Sequence, residues 1–147
     1  MSTVKPIPEG YHSVTPYLSI KGAPQLIEFM KRAFGAQQLM SMVNEDGLIG
    51  HTEMKIGDSV IMLSEAREGY PPAPTGLYVY VEDVDAVYQR AVEAGGTAIM
   101  EPQTHFYGDR SGGVKDMCGN SWWIATRVED ITDEELTRRH KEARGSH

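Results

Sequence analysis

One stretch of this chain is written twice. Residues 18–35 read LSIKGAPQLIEFMKRAFG, and residues 79–96 read VYVEDVDAVYQRAVEAGG. Each runs from a short β-branched segment through a polar turn into an amphipathic helix and stops at glycine. Leu18 and Val79 stand 61 residues apart, which leaves room for a whole supersecondary unit. A unit repeated at such a period does not bury its apolar face alone and packs against its copy. The chain is therefore expected to form two similar halves about a pseudo-dyad. A cavity shared between the halves is the place to look for function.

The pattern around the repeat fills in each half. Residues 13–20 read as a strand. Pro24 sits at a helix start, where its missing N–H costs nothing. Leu26, Phe29, Met30, Ala33 and Phe34 then make one apolar stripe, closed by Gly35. Strands at 37–43, 48–56 and 59–64 follow, turned at Glu45-Asp46-Gly47 and Gly57-Asp58. Gly69, Pro71, Pro72 and Pro74 mark residues 66–75 as a linker. The second unit opens with a strand at 76–81. Asp83 is an N-cap, and Val84, Val87, Tyr88, Ala91 and Val92 repeat the stripe up to Gly95-Gly96. Strands near 97–100, 111–116 and 121–126 are separated by a loop at 102–110 and a turn at Cys118-Gly119-Asn120. Thr132 to Glu135 is a capping box for a C-terminal helix over 132–143. The expected organisation is a single domain over 1–143, with module one at 13–65 and module two at 76–128. Arg144-Gly145-Ser146-His147 reads as the start of a vector-encoded tag.

Composition narrows the function. The chain has 147 residues, 40% hydrophobic and 24% charged, as in one ordinary globular domain. Its net charge is −7 and its isoelectric point near 5.2. That argues against nucleic-acid and anionic-membrane partners, which select Lys and Arg. No apolar run is long enough for a membrane span, and the first residues lack a signal-peptide core. Cys118 is the single cysteine, so no internal disulfide forms, which fits a cytoplasmic location.

Four stretches, VTPYLSIKGAPQLIEFMKRAFGA, HTEMKIGDSVIMLSE, LYVYVEDVDAVYQRAVEAGG and YGDRSGGVKDMCGNSWWIATRVED, carry a family resemblance. Together they are similar to the vicinal-oxygen-chelate superfamily of glyoxalases, bleomycin-resistance proteins and extradiol dioxygenases, and within it to the PhnB-like branch. The resemblance implies an α+β fold of two βαβββ modules forming a half-open mixed β-barrel with helices outside, and a homodimer. It also implies a metal site at one position on the first and one on the last strand of each half. Those positions fall on Thr15, Met62, Gly76 and Trp123. None is a good donor for a divalent metal, and their immediate neighbours include no carboxylate or imidazole. No metal and no cofactor are therefore expected.

Strand alternation fills the cavity with other chemistry. If Thr15 faces it, so do Tyr17 and Ser19. Met62 brings Val60, Gly76 brings Tyr78 and Tyr80, and Trp123 brings Ser121. In HTEMKIGD, Met54 and Ile56 face the helices, which turns His51, Glu53 and Lys55 to the other side. The expected ligand-binding set is Tyr17, Met62, Tyr78, Tyr80 and Trp123, capped by Phe106, Tyr107 and Arg110 from the 102–110 loop. His51 and Glu53 are the candidate catalytic pair. Such a lining suits a small aromatic or cationic molecule. Each residue also has a plain structural role: aromatics favour strands, and Glu53 can pair with Lys55.

The leading expectation is a metal-independent small-molecule binding protein of the bleomycin-resistance type. The alternative is a lyase, isomerase or oxygenase. It would use His51 as base, or a relocated metal held by His51, Glu53 and His105. A scaffold with an empty cavity is a third reading.

Overall fold

The computed structural model describes residues 4–145. The first unit comprises β1 (Tyr17–Ile20), α1 (Ala23–Phe34), β2 (Gln37–Val43), β3 (Ile49–Ile56) and β4 (Ser59–Glu65). The second comprises β5 (Gly76–Tyr80), α2 (Val84–Glu93), β6 (Thr97–Thr104), β7 (Asp109–Lys115) and β8 (Ser121–Arg127), followed by α3 (Asp133–Gly145). Each unit makes one four-stranded sheet, ordered β1-β4-β3-β2 and β5-β8-β7-β6. In both, the first strand lies parallel to the last and the other pairings are antiparallel. This is the two-fold organisation that the repeat implies and the α+β, half-open architecture that the family resemblance implies.

The repeat is kept residue by residue. Tyr17 stands opposite Met62, and Tyr78 opposite Trp123, each displaced by the same 61 positions. Glu53 faces Met62 and Gly113 faces Trp123. The offset there has dropped by one, so a single residue separates the two copies. Even the helix starts match. Glu65, at the end of β4, accepts from the N–H groups of Gly22 at 2.8 Å and Ala23 at 2.9 Å. Thr126, its repeat partner on β8, accepts from Val84 N at 2.9 Å. Each strand end thus satisfies N–H groups that a helix start leaves without partners. Gly22 takes φ 97° to enter α1, a conformation glycine adopts without Cβ strain.

The inner faces of both sheets and the two helices condense into one core. Leu18, Ile20, Met54 and Leu63 come from the first sheet, and Val114, Trp122 and Ile124 from the second. Trp122 joins the units. Its ring lies 4.9 Å from Phe34 and 6.1 Å from Phe29 of α1, and its indole N–H donates to buried Asp116 at 2.7 Å.

Several boundaries differ from the sequence expectation. β1 begins at Tyr17 and not at 13, because Pro16 has no N–H to donate; its carbonyl accepts from Met62 N at 2.9 Å and the ladder ends there. β6 runs to Thr104, through Pro102. A proline is tolerated because β6 is an edge strand, with register shifts around this stretch. The 102–110 loop accordingly shrinks to residues 105–108, closed by His105 N donating to Asp109 O at 2.8 Å. The linker runs beside β1, with Ala73 N donating to Ser19 O at 2.9 Å. α3 starts behind Thr132, whose hydroxyl accepts from Glu135 N. It continues to Gly145, into the segment read as a tag; Ser146 and His147 lie outside the described residues. Among the described residues, no helix is long and apolar enough to cross a membrane.

Candidate functional site

Alternation along β1 and β3 sends Leu18, Ile20, Met54 and Ile56 into the core and leaves Tyr17, His51 and Glu53 on the outer face of the first sheet. There they form a chain of hydrogen bonds. Glu53 Oε2 lies 2.9 Å from His51 Nε2. The Tyr17 hydroxyl lies 3.1 Å from His51 Nδ1, reaching over β4 from β1. The Tyr11 hydroxyl donates to Glu53 Oε1. In the tautomer that donates from Nε2 to the carboxylate, Nδ1 offers a lone pair to the Tyr17 hydroxyl. The His51 and Glu53 side chains are 20% and 12% exposed. Such an array can accept a proton at Nδ1 or hold a hydroxyl-bearing molecule. Met62 stands opposite both Tyr17 and Glu53, and Met40 and Met42 flank the pair from β2.

The outer face of the second sheet carries a different cluster. Tyr78 and Tyr80 both donate to Asp109 Oδ2, at 2.7 and 2.9 Å. Arg127 pairs with Oδ1 at 3.2 Å and also donates to the Tyr107 carbonyl. Asp109 is almost fully buried. Burial alone would raise its pKa; the two phenols and the Arg127 guanidinium outweigh that and hold it below the usual carboxylate range. The Tyr78 phenol is pushed well above its ordinary value, first by burial and then by its bond to Asp109. Tyr80 is raised mainly by its bond to Asp109. Beside them the Trp123 ring packs on Gly113, so closely that a β-carbon there would come 2.4 Å from the indole. The two tyrosine hydroxyls are engaged by Asp109, so this face presents π-surface: Trp123 and a tyrosine pair with ring centres 5.3 Å apart.

The capping residues divide. Tyr107 sits by this cluster, stacked on His105 at 5.0 Å. Phe106 is drawn towards α3, where its ring meets His140 and its carbonyl accepts from Arg139. Arg110 is a correction. It lies within β7 with parity opposite to Asp109 and Ser111, and pairs bidentately with Asp85 on α2 at 2.8 and 2.9 Å. It is turned away from the Tyr78–Trp123 face.

The single shared cavity is also a correction. A cleft of about 1260 Å³ does lie between the units, bounded by residues 12–16, the β3–β4 turn, β5 and α2. It takes in Thr15, Tyr78 and Tyr80 but not Tyr17, His51, Glu53, Met62 or Trp123. The inner faces have condensed with the helices into the core, and the outer faces stay open instead: Tyr17 is 52% exposed and Tyr80 61%. Sequence reasoning missed Asp109, Gly113, Arg127 and Tyr11 as site residues. The alternation that turns Tyr78 and Trp123 to the outer face also turns Asp109 and Gly113 to it, once β7 is started at 109.

A metal does not fit the family positions. Thr15, Met62, Gly76 and Trp123 supply a hydroxyl, a thioether, no side chain and an indole, a poor donor set for a divalent ion. Among the described residues no three His, Cys, Asp or Glu side chains are grouped to hold one elsewhere. His105 has a buried Nε2 without a hydrogen-bond partner. It stands on the hairpin of the second unit, and the structure does not bring it together with His51 and Glu53 as a ligand group.

Paired βαβββ modules with open, aromatic-bearing outer faces define the class: this is a glyoxalase-fold protein. More particularly, the chain belongs to the glyoxalase/bleomycin resistance protein/dioxygenase superfamily, whose sequence profile matches residues 12–124. It is 30% identical over 135 residues to an uncharacterized protein of Mycobacterium bovis, covering 84% of this chain and 89% of that one. Its fold is similar to TioX from Micromonospora sp. ML1, with a TM-score of 0.69 at 22% identity, over 80% of this chain and 99% of that one. It is also similar to a PhnB protein from Bacillus cereus, with a TM-score of 0.63 at 18% identity, over 78% and 99%. At those identities the structural likeness is one of fold.

Proposed function

We propose that this chain is a metal-independent small-molecule binding protein, sequestering an aromatic or cationic organic ligand as a cytoplasmic homodimer. The observation that carries this reading is the surface formed by Trp123, Tyr78 and Tyr80. A flat indole seated on Gly113 and two tyrosines tethered through Asp109 make a preorganised stacking platform. The donor-poor residues at the family's metal positions support the metal-independent part. The open outer faces support the dimer, since a second copy laid on them would turn two exposed surfaces into an enclosed site. The acidic net charge of −7 supports neither a nucleic-acid partner nor an anionic membrane.

The test is a binding screen of planar and cationic organic molecules by calorimetry, with EDTA present throughout. Replacing Trp123 with Ala should weaken any hit by about 10-fold or more, a loss typical of an aromatic contact of this kind. Unchanged affinity in Trp123→Ala and Tyr80→Ala would sink the reading, and so would binding that EDTA abolishes.

A second reading, an enzyme of the lyase or isomerase kind, is favoured by the Tyr17–His51–Glu53 chain, which resembles an oriented general base with a hydroxyl at its accepting nitrogen. If it holds, His51→Ala loses turnover by at least 100-fold, as removal of an acid–base group does. Full activity in that variant excludes it.

A further inference from the structure

We propose that Tyr11 is an internal occupant of the ligand site: its phenol holds the place of a hydroxyl-bearing aromatic ligand, which binds by displacing the N-terminal strap from Glu53. This rests on the reading of the first sheet's outer face as part of the ligand site.

Strand order makes the strap cross that face. The chain enters the sheet at β1, whereas Glu53 is on β3, with β4 between them. A side chain six residues before Tyr17 that reaches Glu53 must therefore pass over β4. Val60 of β4 lies on the strap's side of the sheet. By alternation with Met62 it faces outwards, yet it is only 6% exposed, and it lines the same cleft as residues 12–16. The strap has no helix or strand of its own from residue 4 to 16, and one turn, Tyr11 N to Pro8 O at 3.1 Å, shapes it near the anchor. Lifting it as far as Thr15 breaks no sheet ladder, since the last ladder bond is the one to the Pro16 carbonyl.

The anchor also shows what the site accepts. The His51–Glu53 pair has two outward acceptors, Nδ1 and Oε1, and each takes a phenol hydroxyl, Tyr17 from β1 and Tyr11 from the strap. Tyr17 is held by the β1–β4 ladder. Tyr11 is held by a segment outside any sheet, so Oε1 is the acceptor that can be vacated. A hydroxyl donating to a carboxylate makes a charge-assisted bond. A molecule of the same shape without the hydroxyl would leave Glu53 Oε1 without a donor in a side chain only 12% exposed, at a cost. The site thus selects a planar ring that carries a hydroxyl donor.

The probe is para-cresol, a tyrosine side chain without its backbone, with toluene as the hydroxyl-free control. Calorimetry on the full chain should find para-cresol bound on the order of tenfold tighter by Tyr11→Phe than by the parent, the equivalent of one competing charge-assisted bond removed. Toluene should bind neither with comparable affinity, and Glu53→Gln should lose the preference. In parallel, carbon NMR of tyrosines labelled at Cζ should show the Tyr11 resonance of the parent moving as para-cresol is added. Equal para-cresol affinity in parent and Tyr11→Phe, no binding to Tyr11→Phe, toluene binding as tightly, or a stationary Tyr11 resonance would each overturn the proposal. A stacking ligand lost in Trp123→Ala while Tyr11→Phe changes nothing would leave the binding function standing and remove only the strap.

Discussion

Asp109 is the residue on which the second sheet's outer face is organised, and its chemistry fixes a pH signature. Its pKa is held below the ordinary range, so its contribution to stability is complete above the unfolded carboxylate value and is lost as pH falls through the lower folded value. Tyr78 and Tyr80 are shifted the other way. Their contribution is complete below the unfolded phenol value of about 10 and is lost as pH rises through the higher folded values. Alkaline titration followed by tyrosinate absorbance should show three of the seven tyrosines lagging, Tyr78, Tyr80 and Tyr88, the last through burial and Glu101, and Asp109→Asn should bring Tyr78 and Tyr80 back while leaving Tyr88 where it is. If the Asp109→Asn titration overlays the parent's, the shared hydrogen bond is not what shifts them. Gly113 gives a second test at this scale. A β-carbon there meets the Trp123 ring at 2.4 Å, so Gly113→Ala should tilt the indole, shift its fluorescence and cost about 1–3 kcal/mol of stability. An unaltered emission spectrum would mean that the platform is looser than described. None of this was readable from residue type alone. Asp109 stood in what the sequence presents as a loop, and only the β7 register turns it, together with Ser111 and Gly113, onto the tyrosine face.

At the scale of elements, the repeat makes matched experiments available. Glu65 and Thr126 occupy the same position in their units and satisfy the first N–H groups of α1 and α2. Glu65→Ala should cost about 1–2 kcal/mol, as loss of a helix N-cap does, measured as a shift of the urea midpoint. Thr126→Val keeps the shape and should cost a similar amount, since it strips the acceptor from Val84 N and the donor to Val81 O. A midpoint unmoved in Glu65→Ala would show that water replaces the carboxylate at that helix start. Helices and most strands were legible because their signals are local: an apolar stripe of period 3.6, a terminal glycine, a turn dipeptide. The boundaries that moved are those where a neighbouring strand overrides a local breaker. Pro102 reads as the start of a loop, yet an edge strand accommodates it without losing a ladder bond it needs. The caps supplied by Glu65 and Thr126 come from more than 40 residues away, beyond any local pattern.

For the whole molecule the open faces matter most. All seven residues of β2 are exposed, and Met42 and Val43 are 53% and 63% accessible on a free edge. Long apolar edges are places where a second chain adds. Light scattering coupled to gel filtration should return twice the 16.3 kDa chain mass, and Met42→Glu should shift the population towards the single chain. A single-chain mass for the parent would withdraw the dimer from the proposed function. The sequence by itself determined the two-module fold and the side of each strand that carries Tyr17, His51, Tyr78 and Trp123. Each follows from periodicity or residue chemistry, which are properties of neighbours along the chain. Only the tertiary structure decided which of those residues meet. The packing of both inner faces on α1 and α2 leaves the two outer faces open. Tyr11 and Glu53 are 42 positions apart, and Tyr78 and Asp109 31; such contacts are set by strand order and register, which no local pattern encodes.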